Sequence, residues 1–174
     1  MALSKIPNYL QDSLTSAQMP SGNILQVVSS TKTDSVALSG TPFADVSGLS
    51  VSITPRSTTS KFLIISSING QGAVSSSFLA TRLMRNSTPI CVGDSYSSTA
   101  SATAATGYTQ DSGGQLNLTM THIDSPSTIS AITYKVQASS LHTSTAYINR
   151  SQQDDGSYSR ARTTSTITVM EIAV

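Results

Sequence analysis

Leu49-Ser-Val-Ser-Ile-Thr-Pro55 sets an apolar side chain against a hydroxyl at every step and stops at a proline. Alternation with a period of two lines one face of a β-strand with Leu49, Val51 and Ile53 and leaves Ser50, Ser52 and Thr54 on the other. Proline has no amide to give to a ladder, so the strand ends there. The same grammar runs outward in both directions. Lys61-Phe-Leu-Ile-Ile-Ser-Ser-Ile68 is the most hydrophobic stretch and reads as a central strand, closed by the turn signal Asn69-Gly70. Upstream lie the apolar run Ile24 to Val28 and a short strand Ser35 to Leu38. Downstream, Phe78 to Arg85 is apolar on both faces, which suits a strand between two layers or at a subunit contact. Ile90 to Val92, Leu116 to His122, Ile132 to Val136, Ala146 to Ile148 and Thr164 to Ala173 complete the series, the last reading as a central, sheet-closing strand.

Nine or ten short strands at regular spacing, with no helix among them, predict an all-β antiparallel β-sandwich over residues 22–174. No repeat of fixed period suggests a propeller or solenoid. Residues 1–21 differ. Ile6, Tyr9, Leu10 and Leu14 are spaced for one face of a short helix, but Pro7 sits among them and Pro20 follows, so the segment reads as an attachment arm that packs on another chain. Two polar stretches carry no strand period, residues 94–114 and 151–163, and loops this long are uncommon in compact domains unless they bind something or are disordered.

Composition narrows the function. Ser and Thr supply about a third of the 174 residues, whereas charged residues supply 11%, against about 25% in an average domain. Hydroxyls take over as solvent-facing partners, a pattern of adhesive and fibre-forming β proteins rather than metabolic enzymes. A net charge of +1 gives no electrostatic basis for binding nucleic acid or an anionic membrane. No apolar run approaches the roughly 18 residues of a membrane helix, and the start lacks the apolar region of a signal peptide, so the expectation is a protein made in the cytoplasm and released with a particle. Cys91 is the sole cysteine, which rules out an internal disulfide and reads as a small buried hydrophobe.

The chemistry-bearing residues do not assemble into a catalytic set. Gln110-Asp-Ser-Gly-Gly114 matches the surroundings of a trypsin-like serine, but His122 and His142 both lie downstream of it, where that fold needs a histidine upstream. His122 and Asp124 are spaced for two metal ligands without a third. Glu171 is the only glutamate, and the adjacent Asp154 and Asp155 sit in a turn with Gly156, which fits a solvated tip better than a glycosidase pair or a calcium site. No catalytic residue, metal site or cofactor is expected. Arg82 with Arg85 and Arg160 with Arg162 are the basic pairs, able to grip an anionic sugar or to bridge to an aspartate on a neighbouring strand. Asn86, Asn117 and Asn149 each begin a glycosylation pattern. Tyr96, Tyr108 and Tyr158 all fall in the long polar loops beside Ser and Gly, the chemistry of adaptable recognition surfaces. With Arg160 and Arg162 they form the candidate receptor-contact set.

Taken in order, Gly22-Asn-Ile-Leu-Gln-Val-Val-Ser-Ser-Thr-Lys-Thr-Asp34, Val46-Ser-Gly-Leu-Ser-Val-Ser-Ile-Thr-Pro55, Ser60-Lys-Phe-Leu-Ile64, Arg82-Leu-Met-Arg-Asn-Ser-Thr88, Asp124-Ser-Pro126, Thr133-Tyr-Lys-Val-Gln137 and Thr166-Ile-Thr-Val-Met-Glu-Ile172 resemble a fibre-type virion protein domain of marine tailed phages, especially those infecting cyanobacteria. The resemblance covers roughly residues 22–174. Such domains are similar to trimeric jelly-roll heads of the tumour-necrosis-factor-like kind. The resemblance implies a non-enzymatic homotrimeric tail-fibre or spike head on a virion, used in host attachment to a surface glycan or protein, with residues 1–21 docking to other virion proteins. A capsid decoration or head-fibre protein held by the same arm is the alternative, and a polysaccharide depolymerase is disfavoured by the missing carboxylate pair and triad.

Overall fold

A computed structural model describes residues 20–40, 42–73, 77–107, 113–141 and 144–174. The arm positions Ile6, Tyr9, Leu10 and Leu14, the loop residue Tyr108, the segment Gln110 to Ser112 and His142 lie outside the described residues. The described residues form eleven strands and no helix: β1 Ile24–Lys32, β2 Val36–Ser39, β3 Ala44–Ile53, β4 Lys61–Gly72, β5 Leu79–Arg85, β6 Thr88–Ile90, β7 Ala104–Thr106, β8 Leu116–Asp124, β9 Ile132–Ser139, β10 Thr145–Ile148 and β11 Ser165–Ile172.

All pairings are antiparallel and build two sheets. In the first, β4 pairs β8 along one edge. Along its other edge it pairs β10 through Gly70 and Gly72 and β11 through Lys61 to Ser67. Ile148 stands opposite Gly70, Thr166 stands opposite Ser67, and the Asn149 amide donates to the Asn69 carbonyl between them. β10 and β11 are therefore two halves of one strand, interrupted by residues 150–164. β1 and β2 flank those halves in the same broken row, with Lys32 opposite Ser165 and Val36 opposite Ile148. The second sheet runs β3-β9-β5, and β6 and β7 share the far edge of β5. Ile90 stands opposite Leu83 and Ala104 opposite Thr81, so a second interrupted strand emits residues 91–103. Each sheet has four rows, and the connections between rows pass from one sheet to the other except in the β5–β6 hairpin and the two split strands. The result is a jelly-roll-like β-sandwich.

The inward faces follow the alternation. Phe62, Ile64 and Ile68 of β4, Ile167 and Val169 of β11 and Leu118 and Met120 of β8 meet Leu49, Val51 and Ile53 of β3, Leu79 and Leu83 of β5 and Ile132, Tyr134 and Val136 of β9. The Phe62 and Tyr134 rings pack tilted, with centroids 5.9 Å apart. β5 is buried on both faces, as its sequence suggested. Leu79 and Leu83 enter the core, while Ala80 and Met84 on the outer face are also covered, and the Arg82 guanidinium lies 4.4 Å over the Phe43 ring.

Three expectations change. Asn69-Gly70 does not end its strand; β4 continues to Gly72. Gly70 serves close approach instead of a turn, because a Cβ there would sit 2.3 Å from the Tyr147 carbonyl oxygen and 2.6 Å from Leu79 Cδ2. The stretch 94–114 is not wholly loop, since Ala104–Thr106 forms β7 on the edge of β5. The strand read at Ile90 to Val92 is centred on Thr88–Ile90, and Cys91 leaves the row exposed, with a positive φ of 54°, rather than packing as a buried hydrophobe.

Two substitutions in β4 test this packing in opposite directions. Gly70→Ala drives a methyl into the β10 backbone and should lower unfolding free energy by more than about 2 kcal/mol. Ser66 is fully buried and its hydroxyl has no hydrogen-bond partner. Ser66→Ala should raise stability by about 1 kcal/mol, read from urea unfolding midpoints at unchanged slope.

Candidate functional site

The features that the fold adds to a bare sandwich are the two excursions and the outer face of the first sheet. Residues 150–164 leave the strand through Asn149, which sits in the left-handed region with φ of 61° and is fully buried. Asparagine tolerates that conformation because its short amide can bond locally. Here every polar group of Asn149 is engaged. Its Nδ2 donates to the carbonyls of Lys32 and Asp34, each at 2.9 Å, and its Oδ1 accepts from Ser165 Oγ at 2.6 Å. Its amide donates to Asn69 O and its carbonyl accepts from the Thr163 amide. One side chain thus ties the β1–β2 corner to both halves of the split strand.

The excursion is fastened across the outer face of all four rows. Arg162 donates to Ser35 Oγ beside β2, and Arg150 stacks 3.9 Å over the Tyr147 ring of β10. Asn69 of β4 donates to Thr164 O at 2.6 Å. Gln115, just before β8, donates to Ala161 O and accepts from Thr163 Oγ1, both at 2.8 Å. The charges neutralise one another. Arg162 forks onto both carboxylate oxygens of Asp154, Arg150 approaches the same carboxylate at 3.6 Å, and Arg160 bonds Gln153 and lies 3.9 Å from Asp155. The tip turns at Gly156 with φ of 75°, Ser157 and Ser159 share a hydrogen bond of 3.0 Å, and Tyr158 stands fully exposed.

Residues 91–103 emerge from the edge of the second sheet. Thr103 closes the base, its hydroxyl accepting from the Leu83 amide and its own amide donating to Thr81 O, both at 2.9 Å. Gly93 donates to Ala102 O, which makes the neck two-stranded, and Tyr96 is exposed at the tip. The sequence grouped Tyr96 with Tyr158, Arg160 and Arg162; the fold places them on excursions from different sheets.

Below the 150–164 excursion, the outer face of the first sheet changes character. Asn69 and Asn117 form a polar ladder with Ser67 and Thr119. Toward the other end, side chains of all four rows are apolar. Ile24 and Val27 of β1 and Ile123 of β8 are 53%, 53% and 57% exposed, with Met170, Ile172 and Leu63 half-buried between them. In register, Val27 faces Met170, Met170 faces Leu63 and Leu63 faces Ile123, so the band is continuous. Reading Ile24 to Val28 as an apolar run and Lys61 to Ile68 as a central strand does not reveal it; the signal is that both are apolar at consecutive positions, hence on both faces.

The remaining candidates are committed elsewhere. Asp124 accepts from Arg85 Nη1 at 2.7 and 3.0 Å and from the Tyr134 hydroxyl at 2.7 Å. Burial, and then this bond to the carboxylate, push the Tyr134 hydroxyl well above its ordinary range. Glu171 is fully buried and accepts from Gln26 Nε2 and the Arg56 amide. His122 lies half-buried beside Ile64, and among the described residues no three His, Cys, Asp or Glu side chains converge. Of the three glycosylation patterns, Asn149 is sealed inside, and Asn117 and Asn86 hold hydrogen bonds on the surface. No protein-family model and no curated protein matches the chain.

Asn149→Ala should cost about 3 kcal/mol, since it leaves one buried and one part-buried carbonyl and a serine hydroxyl without their partner and puts a Cβ without a compensating amide at positive φ. The excursion should loosen with it, so trypsin should cleave after Arg160 or Arg162 markedly faster than in the parent chain. Equal cleavage rates would mean that the excursion is held by its surface fastenings alone.

Proposed function

We propose that this chain is a non-enzymatic structural protein of a tailed-phage virion, a homotrimeric fibre or spike head that recognises the host surface and is joined to other virion proteins through residues 1–21. The observation that carries the reading is the apolar band across β1, β11, β4 and β8. It interrupts a surface otherwise rich in hydroxyls, and contiguous exposed apolar area of this kind marks an interaction site. A closed ring of three copies buries the band of every copy and ends assembly there. A contact of standard size covers about 800 Å² per partner, and burial contributes about 25 cal/mol per Å² of apolar area.

The placement of the chain ends supports the same role. Gly22 donates to Ala173 O and Ala173 donates to Asn23 O, so the arm leaves beside the last strand. That end of the sandwich carries the 54–60 and 125–131 connections. The strand ends at Ser39, Gly72, Thr106 and Ser139 lie at the opposite end. An arm fixed to a particle therefore points that end outward. The non-enzymatic part rests on the carboxylates. Asp34, Asp45, Asp124, Asp154, Asp155 and Glu171 are each held by a cation or an amide, which leaves no proton-transfer pair among the described residues except through the lone Asp94.

Light scattering on the purified chain tests the assembly. The expected mass is three times 18.1 kDa, retained when residues 1–21 are removed. Met170→Glu should yield a monomer with an unchanged β-sheet circular dichroism spectrum. A monomeric parent chain at micromolar concentration would refute the trimer. Pre-incubation of host cells with the protein should slow virion adsorption, and unchanged adsorption would move the protein to a decoration role.

A further inference from the structure

The outer face of the first sheet is shared between two features. The apolar band occupies one end, and the 150–164 excursion lies across the other. Along β4 the step from Leu63 in the band to Asn69 under the excursion is six residues, or about 20 Å, with Ile65 and Ser67 between them on the same face. A body that covers the band therefore meets the excursion as a raised shoulder. The excursion is suited to act as one. It is fastened at Ser35, Tyr147, Asn69 and Gln115, so little ordering entropy remains to be lost when it is contacted.

Its tip also narrows the partner. Arg162 and Arg150 pair with Asp154, and Arg160 bonds Gln153 and lies 3.9 Å from Asp155, so the guanidinium groups are turned into the excursion and poorly placed to grip an anionic sugar. Between these charged residues the tip itself is uncharged and exposed: Gly156, Ser157, Tyr158 and Ser159. An exposed tyrosine offers a large rigid face with one hydroxyl, which fits a neutral, hydroxyl-rich surface. The chain's own surface is of that kind, with 11% charged residues and about a third Ser and Thr.

We propose that the 150–164 excursion is an inter-subunit clasp, and that Tyr158 seats on a second copy of the chain. This rests on the homotrimer reading above and divides the aromatic loops by role. Tyr158 with its flanking residues sets the position of one subunit on the next. Tyr96, carried by the edge of the other sheet, stays free for an outside partner.

The test uses the full-length chain with the photoreactive amino acid p-benzoylphenylalanine in place of Tyr158 and, separately, of Tyr96. Irradiation of the position-158 protein should give covalent dimers and trimers on a denaturing gel, with the cross-link mapped by mass spectrometry to a peptide of another copy. The position-96 protein should stay monomeric on the gel. Tyr158→Ala should raise the dissociation constant of the assembly at least tenfold, with the circular dichroism spectrum and monomer melting unchanged. An intact trimer that neither cross-links at 158 nor weakens in Tyr158→Ala overturns the clasp and leaves the trimer standing. A monomeric parent chain overturns both.

Discussion

The carboxamide of Asn149 is the interaction on which the first sheet depends. Where β10 gives way to β11 across a 15-residue excursion, the β1–β2 corner presents the carbonyls of Lys32 and Asp34 and β11 presents the Ser165 hydroxyl. An aliphatic residue would leave those carbonyls buried and unsatisfied, at a cost comparable to a fifth or more of a small domain's stability. One amide, turned by a left-handed backbone, answers them together. The sheet keeps its register across the break, so Ile148 and Ile167 remain in the same core layer although 18 residues of chain separate them.

Polar side chains carry a comparable share of the rest. Arg85, Asp124 and Tyr134 close the core near the end where the arm leaves, and Glu171 with Gln26 fixes the bulge in β1 that lets Ile24 and Val27 share the outer face. Gln26 also reaches the Thr54 carbonyl, and Ser30 reaches Gly48 O, so the two sheets are stitched along the β1–β3 side by side-chain hydrogen bonds. In a chain with few charges, these side-chain bonds provide the directionality that apolar packing lacks.

Much of this architecture can be read from residue order. Period-two alternation at Leu49 to Ile53, Leu116 to His122 and Thr164 to Ala173 identified strands and their inward faces, because a sandwich buries one side of each and leaves the other wet. The double-faced apolar character of β5 was legible for the same reason. The breaks were not. β7 is three small residues, Ala104 to Thr106, whose pairing comes from β5 rather than from any pattern of their own. Asn69-Gly70 carries a turn signal, yet the glycine is required by the carbonyl of Tyr147, a neighbour 77 positions away in sequence. The role of Asn149 is set by contacts with Lys32 and Asp34 that local composition cannot encode. The stretches 94–114 and 151–163 were legible as breaks in the strand pattern, but the β7 strand within the first, their origin in different sheets, and the pairing of Arg160 and Arg162 with Asp155 and Asp154 are tertiary facts.

The split strands have a consequence for how such a molecule can change. The residues that flank the 150–164 segment occupy successive rungs of one ladder, and those that flank 91–103 stand opposite Leu83 and Thr81, two residues apart on β5. Replacing either segment with one of different length or composition alters no register, no core layer and no crossing between sheets. The hinge residue Asn149 stays behind as a fixed socket. Most folds accept such exchange only at loops between elements, where a new segment must still span a set gap. Here the gap is one or two residue steps, so the sandwich behaves as a chassis with two interchangeable cassettes, and diversification of its surface is decoupled from the stability of its core.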